Sequence, residues 1–111
     1  MKSIIKYAAL AVTLFGVANV LAADVKTNWD KECAKCHGAD GRGQTKMGRQ
    51  SGAKDYTDPK VQAEMDDAKA AKQIKAGLKE NGKEKMKPYG PIFSDDEIKA
   101  LVAHMRTFKK K

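Results

Sequence analysis

Two cysteines separated by two residues and followed at once by histidine constrain this chain more than any other feature. Cys33 and Cys36 can form thioether bonds with both vinyl groups of a haem, and His37 can offer its imidazole to the iron. A disulfide between the two cysteines would close a very small loop and constrain almost nothing. The motif therefore predicts one haem c, attached covalently through Cys33 and Cys36, with His37 as an axial iron ligand.

Two other kinds of site also use a cysteine pair. A structural zinc site could combine two thiolates with one imidazole, but it normally needs a fourth ligand, and the sequence has no second cysteine pair to supply it. A thioredoxin-like exchange site would place its pair at a strand-to-helix turn, which the surrounding sequence does not indicate. A measurement of cofactor content distinguishes both alternatives from haem attachment.

The N-terminus has the layout of a secretory signal peptide. A short basic start precedes an apolar run over residues 7–23 that ends in small side chains. We expect cleavage after Ala22, so that residues 1–22 form a cleavable signal peptide and residues 23–111 form an exported, periplasmic monohaem domain. The alternative is an uncleaved membrane anchor, because an apolar helix of about 20 residues is long enough to cross a bilayer.

The composition of the predicted mature chain adds two constraints. It contains few large apolar side chains, so a core made of them alone would be marginal, and a buried haem would supply the missing apolar mass. The whole chain carries 22 basic and 14 acidic side chains, a formal net charge of +8, which favours acidic partners. Export and the lack of a recognisable nucleic-acid-binding motif argue against nucleic acid as a partner.

Helical periodicity recurs along the chain and predicts an all-α fold. Trp29, Cys33 and Cys36 lie on one helical stripe. Thr27 or Asn28 is the candidate cap of this first helix. We interpret Trp29 as a packing residue because its indole offers the largest apolar surface in the chain.

Capping signals mark the later helices. Asp58 and Asp66 are candidate caps of two helices, the second of which ends near Gly77. Ser94 and Glu97 have the spacing of a capping box and predict the start of the last helix. The apolar stripe of that helix consists of Ile98, Leu101, Val102, Met105 and Phe108.

Loops are expected between these helices. The glycine-rich segment 38–52 lacks the preceding strand and the Gly-Lys-Ser/Thr ending of a phosphate-binding loop. Nearby, Arg42, Arg49 and Tyr56 are candidate partners of a haem propionate. A turn signal and an irregular composition mark residues 81–91 as a second loop, and no strand-like alternation is evident.

A second axial ligand must come from a methionine or from the other histidine of the chain. Met86 follows the turn signal in the loop before the last helix, where its flexible thioether can approach iron from the face opposite His37. The remaining candidates are explained without iron ligation. Met47 lies in the loop on the histidine side, Met65 and Met105 occupy inward helical positions that core packing explains, and His104 is interpreted as a packing or surface residue.

The chain resembles a class I c-type cytochrome of the small bacterial monohaem type. The resemblance rests on Cys33, Cys36 and His37, on Met86 before Pro88, and on the helix over residues 94–108. It implies a compact helical domain around one covalently attached haem, with His37 and Met86 as axial ligands.

The resemblance also implies that the first and last helices cross, which brings Trp29 near Leu101 and His104. Two positions depart from the family's pattern. Lys87 separates Met86 from the proline that commonly follows the axial methionine directly, and His104 stands where the family often has an aromatic residue.

A one-electron carrier is the expected function. With His37 and Met86 both bound, no iron position is open to a substrate, so we expect no catalytic activity of its own. We expect a monomer that forms transient complexes with redox proteins bearing acidic docking surfaces. Four lysines flank Met86 and can steer such a partner, namely Lys79, Lys83, Lys85 and Lys87. The alternatives are a haem c subunit of a larger periplasmic oxidoreductase and an open-site haem enzyme or ligand sensor.

Overall fold

The computed structural model describes residues 22–110, which form a mostly helical domain and confirm the predicted all-α class. Except for Ala22, the predicted signal peptide lies outside these residues. Within residues 22–110, no helix is long and apolar enough to span a bilayer. The elements are helices α1 (Ala22–Asn28), α2 (Ala34–His37), α3 (Lys46–Ser51), α4 (Pro59–Glu64), α5 (Asp67–Ala76) and α6 (Asp95–Arg106), and strands β1 (Leu78–Glu80) and β2 (Lys83–Met86).

The first helix begins earlier than its predicted cap. Asn28 is helical, with φ −62° and ψ −43°, and its side chain makes no capping hydrogen bond. Its amide nitrogen instead donates to Glu97 Oε2 at 3.3 Å. The prediction of a cap at Thr27 or Asn28 was therefore wrong, because α1 begins earlier and both residues lie within it.

A π-helical turn over Trp29–Cys33 joins α1 to α2. The backbone N–H of Ala34 donates to the carbonyl of Trp29, five residues earlier, which is the hydrogen bond of a π-helix. Such widened turns are frequent at functional sites. The turn carries Cys33, and α2 carries Cys36 and His37 directly after it.

The core lies where the first helix and the π-helical turn pack against α6. Trp29, Ile98 and Leu101 are the largest fully buried side chains of the described residues. The ring centroids of Trp29 and His104 are 5.4 Å apart, which is the contact expected from crossing first and last helices. The Trp29 indole N–H donates to the carbonyl of Gly38 at 2.9 Å, so this buried polar group is paired.

Side-chain caps start the later helices as the sequence predicts. Asp58 accepts from the backbone N–H of Lys60 at the start of α4, and Asp66 caps α5 in the same way through Lys69. The capping box of α6 is complete. Glu97 N–H donates to Ser94 Oγ at 3.1 Å, and Ser94 N–H donates to Glu97 Oε1 at 3.0 Å.

A short antiparallel hairpin occupies part of the segment predicted to be irregular. Its strands β1 and β2 are joined by Asn81 and Gly82, both with positive φ, as the tightest hairpin turns require. Leu78 lies opposite Met86, and the register is irregular just after Leu78. The sequence did not indicate these strands because they are short, charged and mostly exposed, so they lack the apolar alternation that marks a half-buried strand.

Candidate haem site

A cavity of about 430 Å³ opens beside the cysteine pair. One wall comes from the π-helical turn and α2, a second from residues 51–56, and a third from α4, α5 and the break between them. The hairpin and the core side of α6 complete the lining through Leu78, Met86 and Leu101. Residues far apart in the chain therefore meet around one space next to the Cys33–His37 segment.

Both thiols line this cavity and neither is in a disulfide. Burial raises the pKa of Cys33 to about 12, and the charge of Glu32 acts in the same direction. The Cys33 thiol is therefore protonated at neutral pH in the folded chain without haem. Residues 22–110 contain no cluster of three or more His, Cys, Asp and Glu side chains that could hold a metal ion.

Helix α3 holds the haem-attachment segment in place. Thr45 Oγ1 donates to the carbonyl of Cys36 at 2.9 Å and accepts the N–H of Gly48 at 2.8 Å, so one hydroxyl caps α3 and binds α2. A Cβ added at Gly48 would collide with the Cys36 carbonyl oxygen, and would lie 2.6 Å from that of Gly43. Only glycine lets the two helices approach this closely.

His37 lines the cavity at the end of α2. Burial lowers the pKa of its imidazole, which favours the neutral form that ligates metals. The ring lies between Trp29, at a centroid distance of 5.6 Å, and Tyr56, at 5.5 Å. Its Nδ1 is the only buried side-chain polar atom among residues 22–110 that has no hydrogen-bond partner.

Met86, at the end of β2, is half-buried and lines the same cavity as His37. Two other methionines also reach the lining. Met105 is a core residue with 5% exposure, and Met65 is half-buried at the end of α4. From the sequence, we attributed the inward position of Met65 to helix packing alone. The same inward position also indicated that its side chain could face the cavity. Met47 is 40% exposed and lies outside the lining.

Tyr89 ties the Met86 segment to the cysteine segment, a role that sequence reasoning missed. Its hydroxyl donates to the carbonyl of Glu32 at 2.9 Å, and its ring stacks on Phe93 at 5.7 Å. Burial raises the pKa of Tyr89 to about 12, so the hydroxyl keeps the proton that it donates. An aromatic residue three positions after Met86 was the available signal.

Only one of the three candidate propionate partners lies at the cavity. Tyr56 lines the cavity, whereas Arg42 and Arg49 do not. Arg42 instead lies 3.7 Å from the carboxylate of Asp40. The basic side chains that do reach the lining are Lys54, Lys69 and Lys85.

The donor set fits a covalently attached haem. The cavity is lined by two thiols that are not in a disulfide, by thioethers, and by an imidazole whose Nδ1 has no hydrogen-bond partner. Apolar and aromatic side chains form much of the remaining lining. Thiols supply the thioether links, and imidazole and thioether are both axial ligands of haem iron. The residues present therefore match the chemistry that the Cys33–His37 spacing predicts.

Comparison with known proteins gives the family. A family model described as Cytochrome c matches residues 22–109. The chain belongs to the cytochrome c family. This cytochrome carries haem c attached through Cys33 and Cys36 and is an electron-transfer protein, as the sequence predicts.

Two solved structures are similar to this cytochrome. The KustC0563 c-type cytochrome is 32% identical, with 77% of this chain and 96% of that chain covered and a TM-score of 0.66. A tyrosine-to-phenylalanine mutant of Kustc0563 is 34% identical, with 78% and 99% covered and a TM-score of 0.68. No curated protein matches the chain.

Proposed function

We propose that this cytochrome is a periplasmic one-electron carrier whose iron is bound by His37 and Met86. The observation that supports the ligand pair is that both side chains line one cavity with both thiols, from elements separated by nearly fifty residues. Haem bound there supplies the one-electron couple between ferrous and ferric iron. The chain's part is to hold that group in apolar surroundings and to fill both axial positions.

The proposed ligand pair also accounts for a carrier without catalytic activity. Two protein ligands leave no iron position for a substrate, and a thioether ligand raises the reduction potential. Residues 51–56 and the hairpin both line the cavity, so protein side chains rather than bulk water surround much of the group held there. Little rearrangement is then needed when one electron enters or leaves.

Export and transient partnership complete the proposal. Residues 1–22 act as a cleaved signal peptide that delivers residues 23–111 to the periplasm. Cleavage removes Lys2 and Lys6, so residues 23–111 keep 20 basic and 14 acidic side chains, and this net charge of +6 supports an acidic redox protein as the partner. A cationic monomer that docks briefly is suited to carrying electrons between two such proteins.

Replacing Met86 with leucine tests the proposed ligand, because leucine removes the sulfur and keeps a similar volume. We expect the native exported protein to contain covalent low-spin haem with an iron–sulfur charge-transfer band in its ferric spectrum. Met86→Leu should lose that band, lower the reduction potential and retain covalent haem.

Met65→Leu is the matched control, since Met65 is also half-buried on the cavity wall. This variant should retain the band. Loss of the band in Met65→Leu and its persistence in Met86→Leu would assign the ligand to Met65 instead. Absence of covalent haem from the native protein, or rapid carbon monoxide binding by it, would overturn the carrier proposal.

A further inference from the structure

We propose that helix α3 and the residues after it are the docking surface for an acidic redox protein. This α3 surface consists of Lys46, Met47, Arg49 and Lys54. The inference rests on the proposed electron-carrier function and adds to it the location of the docking surface. It differs from the expectation that the lysines around Met86 steer the partner.

The charge of the α3 surface is basic and uncompensated. No acidic residue occurs between Asp40 and Asp55. Within residues 22–110, no ion pair involves Lys46, Arg49 or Lys54, and all three residues are exposed. Unpaired cations on an exposed surface attract an approaching acidic patch more strongly than cations already neutralised by neighbours.

An exposed methionine lies within this basic surface. Met47 and Ile92 are the two exposed large hydrophobic residues of residues 22–110, at 40% and 48% exposure. Ile92 is followed closely by the acidic start of α6, residues 95–97, which would repel an acidic partner. Met47 lies between Lys46 and Arg49. Methionine and arginine are enriched at protein interfaces, and a flexible thioether adapts to a partner that docks briefly.

The α3 surface is continuous with the haem site. Helix α3 packs on α2 through Gly48 and Thr45, and α2 carries Cys36 and His37. The residues that follow α3, Ser51 to Lys54, form part of the cavity wall. A partner bound to α3 would therefore lie against the segment that forms part of the cavity wall.

The hairpin offers a weaker positive field despite its lysines. In the register of β1 and β2, Lys79 lies opposite Glu84, and Lys83 lies opposite Glu80, which leaves Lys85 as the hairpin lysine with no facing carboxylate. Lys87 lies 3.6 Å from the carboxylate of Glu32. Cations beside anions largely cancel at the distance of an approaching partner, so the hairpin is the poorer docking surface.

Stopped-flow oxidation of the ferrous holoprotein by hexacyanoferrate(III) tests the surface with an anionic probe. One electron leaves haem iron(II), giving iron(III), and reduces the probe to hexacyanoferrate(II). We compare native protein with Lys46→Gln/Arg49→Gln and with Lys79→Gln/Lys83→Gln, which remove the same number of charges. At about 10 mM ionic strength, where charges act over about 30 Å, the α3 variant should react about threefold or more slowly than native protein.

The hairpin variant should stay within about twofold of native protein under the same conditions, and all three rates should converge near 1 M salt. Equal slowing of the two variants, or greater slowing of the hairpin variant, would overturn the α3 surface and leave electron transfer intact. Failure of the native holoprotein to exchange electrons with the probe would overturn the carrier function and the docking surface together.

An acidic polypeptide gives an independent test on the native holoprotein. In the reduced state, titration with poly-L-glutamate should shift the backbone amide resonances of residues 46–54, and salt should reverse the shifts. Met47→Gln, which keeps the charge, should weaken this binding. Shifts confined to residues 79–87, or no shifts at all, would refute the proposed surface.

Discussion

Arg106 connects the last helix to the break between α4 and α5. Its Nη1 donates to the backbone carbonyl of Gln62 at 2.6 Å and to Gln62 Oε1 at 3.0 Å, and its Nη2 donates to the carbonyl of Met65 at 2.7 Å. Its Nε also donates to Asp67 Oδ1 at 2.8 Å. The guanidinium thus satisfies three neutral acceptors at the end of α4, beside the wall of the haem cavity.

Arg106→Met removes these donors while keeping an apolar stem. Three acceptors lose a charged donor, and Gln62 is only 4% exposed. Because the Arg106 side chain is 35% exposed, water replaces part of the loss. We therefore take the low end of the hydrogen-bond range, about 1 kcal/mol for each acceptor and about 3 kcal/mol in total. The ion pair adds little, since the Asp67 side chain is 67% exposed.

Urea unfolding of the holoprotein measures this free energy. With a slope of about 1.5 kcal/mol/M, the midpoint of Arg106→Met should fall by about 2 M. Asp67→Asn is the matched control, because it removes the ion pair and leaves the three neutral acceptors paired. It should cost less than about 1 kcal/mol. If Asp67→Asn costs as much as Arg106→Met, the ion pair stabilises this junction and the reasoning from the neutral acceptors is refuted.

Two further predictions concern packing and pH. Gly48→Ala should destabilise the holoprotein by about 1–3 kcal/mol and lower the yield of covalent haem, because the added Cβ would collide with the Cys36 carbonyl oxygen. Gln50→Ala is the control, because Gln50 is exposed on the same helix, and it should change neither the stability nor the haem yield. Burial lowers the pKa of His104, so the unfolded chain binds its proton first, and unfolding free energy should fall as pH drops below about 6.5. His104→Gln should make this decline between pH 7.5 and 5.5 smaller without abolishing it, because burial lowers the pKa of His37 as well. An equal decline in both proteins would contradict the assignment to His104.

Local signals in the sequence predicted much of this fold. The capping box at Ser94 and Glu97, and the caps at Asp58 and Asp66, involve hydrogen bonds within three residues, so the order of residues reveals them directly. The cysteine pair predicted the haem attachment for a similar reason, because its spacing is itself the chemical requirement.

Contacts between distant segments were not predictable from the sequence. Arg106 binds Gln62, 44 positions away, and nothing in the spacing of either residue indicates the partner. Gly48 was one glycine among several until the approach of α3 to Cys36 showed why a side chain is excluded there. Met65 and Met86 have the same side chain, and only the cavity shows that both face the site.

The two proposed axial ligands belong to secondary-structure elements of different stability. His37 ends a helix that packs against α3 and the Trp29 ring, whereas Met86 ends a two-stranded hairpin of mostly exposed, charged residues. A hairpin of this kind has little stability of its own, and native proteins open locally at their weakest units. On the proposed ligation, opening of the hairpin would therefore release Met86 from the iron at a lower free energy than unfolding of the helical core.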